Sequence, residues 1–153
     1  MQGKRPLELA GWLSAALALF HVVVVFFGAP AYRYFGAGEE IARQAEAGSF
    51  FPAALTLAVA AVFVVFALYA FSGAGAIRRL PLLRLGLLAI SAMYLLRGLL
   101  LLPQLVAFFH HAGLVPPRAL AFSSVSLTIG LVYLAGTLRS WPRLGPTPAL
   151  GSG

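Results

Sequence analysis

Residues 90–104 read ISAMYLLRGLLLLPQ, and they place the guanidinium of Arg97 inside a run of apolar side chains. A run this apolar belongs in a membrane, because in water it would expose a large hydrophobic patch. Every other charged residue falls near the end of an apolar segment or between two such segments. Arg97 is therefore the charge that the sequence places within a membrane span.

The composition of the whole chain indicates the same class. Hydrophobic residues make up 61% of the 153 residues and charged residues 10%, and the mean hydropathy is +0.92. A soluble domain carries about 25% charged residues, so this chain would expose too much apolar surface in water. The absence of cysteine excludes disulfides, thiol catalysis and thiolate metal sites.

Four segments are long and apolar enough to cross a bilayer, at residues 9–28, 51–71, 82–109 and 119–138. As helices they cover the hydrocarbon core of about 30 Å at 1.5 Å per residue, and none alternates as a membrane β-strand does. We predict an all-α integral membrane four-helix bundle of up-down-up-down order. It forms a single domain over residues 1–141, followed by a flexible tail at 142–153. A short amphipathic surface helix is expected in the first external loop, where Glu39 and Arg43 stand at i,i+4 spacing.

Basic residues predict the orientation of the bundle. One side carries seven of the eleven cations: Lys4, Arg5, Arg78, Arg79, Arg84, Arg139 and Arg143. The other side carries Arg33, Arg43 and Arg118, together with three glutamates. Because cytoplasmic loops are enriched in Lys and Arg, we expect both termini in the cytoplasm and the protein in a cytoplasmic (inner) membrane. The bias toward Ala, Leu, Gly, Pro and Arg favours a bacterial source.

The net charge of +7 is not accompanied by a nucleic-acid recognition motif. The cations flank apolar segments instead, which is typical of topology signals and of contacts to lipid headgroups. We therefore expect membrane lipids as partners and no nucleic acid. A homo-oligomer and a complex with another membrane protein both remain open.

Arg97 is the first candidate for a functional residue. An Arg at the centre of a span costs about 2.5–3.5 kcal/mol on an insertion scale, so we expect it to face the protein interior or water. Tyr94, Arg97 and Gln104 share one helix face, and Pro103 predicts a kink because it removes a backbone donor. Arg97 could be a structural cation, a contact to a ligand or anion, or part of a gate.

His21 and the fourth span supply the remaining candidates. His21 lies in the first span at a depth similar to that predicted for Arg97. It could be a packing residue, a titrating or ligand-binding residue, or a metal ligand. The fourth span carries a stripe of small and hydroxyl residues that favours close packing or a pocket lining: Ser123, Ser126, Gly130, Tyr133 and Thr137. The predicted ligand-binding set is Arg97, His21, Tyr94, Gln104, Ser123 and Ser126.

The sequence predicts no catalytic residue, no cofactor and no metal site. The acids lie outside the predicted hydrocarbon region, so they complete no Ser-His-acid set. His110 and His111 are adjacent, and neighbouring helical residues point about 100° apart, so they would not usually share an ion.

Two families of small four-helix membrane proteins do not fit this chain. The glutathione-using and eicosanoid-synthesising enzymes carry Arg, Asn and Glu in the second helix, where this chain has no charge. Small multidrug exporters need an intramembrane Glu in the first helix, where this chain has His21 and carries Glu8 only at the start. The expected function is non-enzymatic: an outer-leaflet polar pocket that binds a lipid headgroup or a small amphipathic anion. An accessory or scaffolding subunit and, less favoured, an intramembrane enzyme are the alternatives.

Overall fold

A computed structural model describes residues 4–110 and 113–145. These residues form seven α-helices and one 3-10 turn: α1 Lys4–Phe27, α2 Ala29–Phe35, α3 Glu39–Glu46, α4 Phe51–Ala74, α5 Leu83–Leu99, α6 Leu101–His110, α7 Pro117–Ser140 and η1 Trp141–Leu144. Four helical stretches are long and apolar enough to cross a membrane: Lys4–Phe27, Phe51–Ala74, Leu83–His110 and Pro117–Leu144. The prediction of an all-α chain with four membrane-capable helices is confirmed.

Glycine and proline set several helix boundaries. Gly28 has a φ of +61°, a left-handed backbone that ends α1 before α2 begins. Pro117 starts α7, where its missing N–H removes no helical bond. The third predicted span is divided, since α5 ends at Leu99 and α6 begins at Leu101. Pro103 explains this break, because it cannot donate to the carbonyl of Leu99.

The described residues group into two compact units. Unit 1 contains the start of α1 through Ala10 and everything from Tyr69 onward, so it holds the end of α4 together with α5, α6, α7 and η1. Unit 2 spans Gly11–Leu68 and holds the rest of α1 and α4 together with α2 and α3.

The core of unit 1 is the contact between α5 and α7. The buried face of α5 comprises Leu83, Leu87, Ile90, Ser91, Tyr94 and Gly98. A Cβ added at Gly98 would lie 2.5 Å from the Leu127 Cα, and one at Gly130 would lie 2.9 Å from the Leu95 backbone nitrogen. The two backbones can approach this closely because both positions lack a side chain. Small residues at helix contacts are the usual basis of association in lipid, where apolar surroundings provide no hydrophobic force between helices.

One end of unit 1, here called the basic end, joins the start of α1, the α4–α5 link and η1. The Ser72 hydroxyl donates to the Arg78 carbonyl at 3.1 Å and accepts from the Leu80 N–H at 2.9 Å, which holds the link against α4. Arg84 donates to the Trp141 carbonyl at 2.7 Å, and its guanidinium carbon lies 4.7 Å from the indole centroid.

After α7 the chain continues as the 3-10 turn η1, Trp141–Leu144. Arg79 donates to the carbonyl of Leu144, and the Leu144 side chain is buried. The first residues of the segment predicted as a flexible tail, 142–153, thus belong to η1, which contacts the α4–α5 link through Leu144. Residues 146–153 of that predicted tail lie outside the described residues.

Unit 2 contains a hairpin of the short helices α2 and α3. Its core is an apolar cluster built around Tyr32 and Ala42, which are 2% and 0% exposed. Arg33 contacts both carboxylates that face it, with nitrogen–oxygen distances of 2.9 Å to Glu39 and 2.6 Å to Glu46. Arg33 thus joins both ends of α3 to α2.

The i,i+4 ion pair that the spacing of Glu39 and Arg43 indicated does not form. Arg43 contacts Glu40 at 2.7 Å instead, and Glu39 is taken by Arg33. The tertiary partner is available because the turn between α2 and α3 brings Arg33 beside the first turn of α3. Hydrogen bonds from Arg33 hold the pKa of the Glu39 and Glu46 carboxyls below their usual range.

Candidate functional site: the Arg97 face

Arg97 lies at mid-length of the helical stretch Leu83–His110, about 20 Å along the axis from either end at 1.5 Å per residue. Its neighbour Gly98 packs on Leu127 of α7. Leu127 lies about 15 Å from the start of α7 and about 20 Å from its end. The distances along Leu83–His110 and along α7 therefore both place Arg97 far from either end of unit 1.

The Arg97 side chain is exposed on the surface of the chain. Of the two surroundings predicted for Arg97, the protein interior or water, the interior of this chain is not where the side chain lies. The physical reason is the close contact at Gly98, since that residue turns toward α7 and successive helical positions differ by about 100°. Arg97 therefore lies on a side of α5 that does not face α7.

Arg97 is surrounded on its helix by exposed apolar side chains. Met93, Leu96 and Leu100 lie three or four positions from one another or from Arg97, and they are 45%, 68% and 46% exposed. We call Met93, Leu96, Arg97 and Leu100 the Arg97 face. Among the described residues Arg97 has no hydrogen-bond or ion-pair partner. The face is thus an apolar surface with one unneutralised cation.

The four long helical stretches carry no carboxylate near mid-span. The chain's four acids are Glu8, Glu39, Glu40 and Glu46, and no Asp or Glu follows Glu46 in the sequence. Glu8 is an exposed residue near the start of α1, and the other three belong to α3, where they pair with Arg33 and Arg43. A second copy of the chain would bring the same four acids and no others.

The other predicted site residues of unit 1 make polar or aromatic contacts within that unit. Tyr94 is 4% exposed and stacks on Tyr133, with ring centroids 5.6 Å apart and planes at 21°. Ser123 is fully buried and donates to the Gln104 Oε1 at 2.8 Å. The Ser126 hydroxyl donates to the Phe122 carbonyl at 3.0 Å, a back-bond within α7.

The hydroxyl stripe of α7 therefore acts mainly in packing. Ser123, Tyr133 and Thr137 are fully buried, and the Thr137 hydroxyl donates to the Tyr133 carbonyl at 2.7 Å. Gln104 joins α6 to α7 through Ser123. Structure brings Tyr94 to Tyr133 and Gln104 to Ser123, whereas Arg97 is exposed on another side of the helix.

His21 belongs to unit 2. Its Nδ1 lies 2.8 Å from the Leu17 carbonyl, one turn earlier in α1, and its ring lies 5.0 Å from the Phe63 ring. These contacts are typical of a packing histidine with a local backbone partner.

Two cavities of unit 1 lie at the basic end. The larger, of about 490 Å³, is lined by Arg5, Pro6, Leu9, Thr128, Leu131, Val132, Ala135 and Arg139. The smaller, of about 200 Å³, is lined by residues that include Lys4, Arg79 and Arg143. Neither lining includes any of the six residues predicted from the sequence to bind a ligand.

The described residues contain no group of three or more His, Cys, Asp or Glu side chains that could hold a metal ion. His110 ends α6, and His111 lies outside the described residues.

Sequence reasoning missed two features of the structure. Gly98 was read only as part of an apolar run, although it lies one helical turn after Tyr94, and Gly130 lies one turn before Tyr133 on the partner helix. Arg5 and Arg139 were interpreted as topology signals and headgroup contacts, and the sequence did not show that they line one groove.

No family model, no curated protein and no solved structure matches the chain. The four long apolar helices indicate an integral membrane protein.

Proposed function

We propose that this chain is a non-enzymatic accessory subunit of the bacterial cytoplasmic membrane. It docks a different membrane protein against the Arg97 face. The observation that supports this proposal is an exposed guanidinium at mid-length of an apolar helix, with no partner among the described residues.

The energetic reason is the cost of an unpaired charge in hydrocarbon. An Arg at mid-span costs about 2.5–3.5 kcal/mol even on the mildest scale. Long cationic side chains relieve this cost near helix ends by reaching the headgroups. Arg97 stands about 20 Å from either end of its helical stretch at 1.5 Å per residue, so a protein partner at the same level provides a better solution.

Charge complementarity selects the kind of partner. A carboxylate at mid-span would pair with the Arg97 guanidinium through charge-assisted hydrogen bonds. Within its four long helical stretches this chain has one acid, Glu8, which lies about 6 Å from the start of α1 at 1.5 Å per residue, so a second copy provides none at mid-span. The partner is therefore a different protein with an Asp or Glu in the middle of a transmembrane helix. Met93, Leu96 and Leu100 provide the apolar contact around the ion pair.

The polar pocket expected from the sequence has less support as the functional site. Tyr94, Gln104, Ser123 and Ser126 have their polar or aromatic contacts within unit 1. The Ser123 and Ser126 hydroxyls and the Gln104 amide oxygen are already engaged there, whereas the Arg97 guanidinium has no partner among the described residues.

The test compares Arg97→Leu with Arg78→Leu, which removes an exposed cation from the α4–α5 link outside the long helices. Tagged protein is extracted in a mild detergent, and its complexes are resolved by native electrophoresis and mass spectrometry. We expect the wild type and Arg78→Leu to run in a stoichiometric complex with another membrane protein, and Arg97→Leu to run free with unchanged helix content.

A charge exchange then identifies the contact. The partner must carry an acid at mid-span, and Arg97→Glu combined with replacement of that acid by Arg should restore the complex. Survival of the complex in Arg97→Leu contradicts the proposal. So does wild-type protein that runs only as a monomer or homo-oligomer.

A further inference from the structure

A groove runs between the first turns of α1 and the C-terminal half of α7, entirely within unit 1. Its volume is about 490 Å³, and α1 contributes Arg5, Pro6 and Leu9 to its walls. We call it the α1–α7 groove. We propose that it binds one anionic phospholipid, drawn from the leaflet at the basic end. This site is independent of the Arg97 face.

Two guanidiniums mark the outer end of the groove. Arg5 and Arg139 are both exposed, and neither has a hydrogen-bond or ion-pair partner among the described residues. Glu8 follows Arg5 by one helical turn but does not line the groove. A phosphate between the two arginines would receive charge-assisted hydrogen bonds, which Arg provides in a planar fork suited to phosphate oxygens.

The remainder of the lining is apolar. Leu9, Leu131, Val132 and Ala135 provide its hydrocarbon surface. Thr128 closes the inner end, and its hydroxyl donates to the Ser124 carbonyl at 2.9 Å. Since that hydroxyl is engaged within the helix, it needs no further partner and leaves the inner end of the groove suited to an acyl chain.

The length of the groove matches one leaflet. Arg139 and Thr128 are separated along α7 by about 16 Å at 1.5 Å per residue, which is about half of a 30 Å hydrocarbon core. A lipid whose phosphate lies at the arginines would thus have acyl carbons beside Leu131 and Val132, and its chain would end near Thr128.

The charge around the groove favours an anionic lipid over a zwitterionic one. The neighbouring cavity of unit 1 is lined by Lys4, Arg79 and Arg143. These cations add positive potential at the same end of the unit. Basic pockets between transmembrane helices are typical sites for anionic headgroups.

The experiment measures lipid retention by native mass spectrometry of purified, delipidated full-length protein. Phosphatidylglycerol and phosphatidylcholine with identical acyl chains are added back at matched concentrations. We expect preferential retention of phosphatidylglycerol. Its affinity should fall about five-fold for each of Arg5→Gln and Arg139→Gln, the usual contribution of a cation at an anionic surface. Arg78→Gln is the matched control and should retain the lipid as the wild type does.

A second variant tests the apolar part of the groove without changing its charge. Ala135→Phe fills the groove and should weaken retention of both lipids, while circular dichroism reports unchanged helix content. The proposal is overturned if the double variant of Arg5 and Arg139 retains phosphatidylglycerol like the wild type, or if Arg78→Gln loses it equally. Displacement by an equal concentration of soluble glycerol phosphate would show a free-anion site and also overturn it.

Discussion

Gly98 has more influence on the position of Arg97 than any property of the arginine itself. Because Gly98 has no side chain beyond a hydrogen, the α5 backbone can approach Leu127. This close contact fixes the rotation of α5. A helix fixed in this rotation keeps Tyr94 inside and Arg97 outside. The exposed charge is therefore a consequence of packing by its neighbour.

Gly98→Ala should destabilise unit 1 by about 1–3 kcal/mol, because the new methyl group overlaps backbone rather than a movable side chain. The control is Ala92→Val, which enlarges an exposed residue of the same helix. Reversible unfolding in mixed micelles, followed by circular dichroism, measures both variants. Equal stability of Gly98→Ala and the wild type would contradict the close contact.

At the scale of the helices, α6 is the least anchored part of the four long helical stretches. It has no buried residue, and Pro103 separates its hydrogen bonding from that of α5. The bond from Ser123 to Gln104 is its polar link to α7. Helix α6 can therefore change its position against a neighbouring protein without disturbing the α5–α7 core.

Gln104→Leu should loosen α6 while α5 and α7 remain packed. Hydrogen bonds between transmembrane helices contribute about 0.6–2 kcal/mol, so the expected loss is small and local. Hydrogen exchange resolved by mass spectrometry should show faster exchange in residues 101–110 only. Ser124→Ala, which removes a hydroxyl bonded within α7, is the control and should leave α6 unchanged. Faster exchange across α5 would contradict this assignment.

The α2–α3 hairpin should respond to acid. The folded pKa of Glu39 and Glu46 is lowered from 4.5, chiefly by hydrogen bonds from Arg33. Groups with a lowered folded pKa stabilise the fold above their unfolded pKa and lose that contribution as the pH falls through the folded value. Pairing of α2 with α3 is therefore expected to be intact at neutral pH and to weaken below pH 4.5.

The measurement is hydrogen exchange in residues 29–46, corrected for the intrinsic pH dependence of exchange. Arg33→Gln removes the common partner of both carboxylates, so its hairpin should be loose already at neutral pH and should show little further change. An acid response in Arg33→Gln as large as that of the wild type would rule out the arginine as its cause.

At the scale of the whole molecule, the distribution of cations is the main asymmetry. Arg84 of α5 contacts Trp141, and Arg79 of the α4–α5 link contacts Leu144, so both elements are joined to η1. Lys4, Arg79 and Arg143 line one cavity. Cations that are distant in sequence thus lie at one end of unit 1, which supports the orientation proposed from the positive-inside rule.

Orientation can be tested cleanly because the chain has no native cysteine. Ala47→Cys and Ile77→Cys introduce single thiols at exposed positions after α3 and before α5. A membrane-impermeant maleimide should label residue 47 in intact cells and residue 77 only after the membrane is opened. The reverse pattern would invert the proposed topology.

The membrane class, the number of long helices and the break caused by Pro103 were all determined by the sequence alone. Hydropathy and length are properties of each segment by itself, and proline acts on its own helix. The tertiary structure alone decided that Arg97 is exposed, that Glu39 pairs with Arg33, and that Arg5 and Arg139 share a groove. The physical reason is that helices in lipid associate through specific close contacts rather than through a general apolar force. The side of a helix that turns inward therefore depends on residues of another helix.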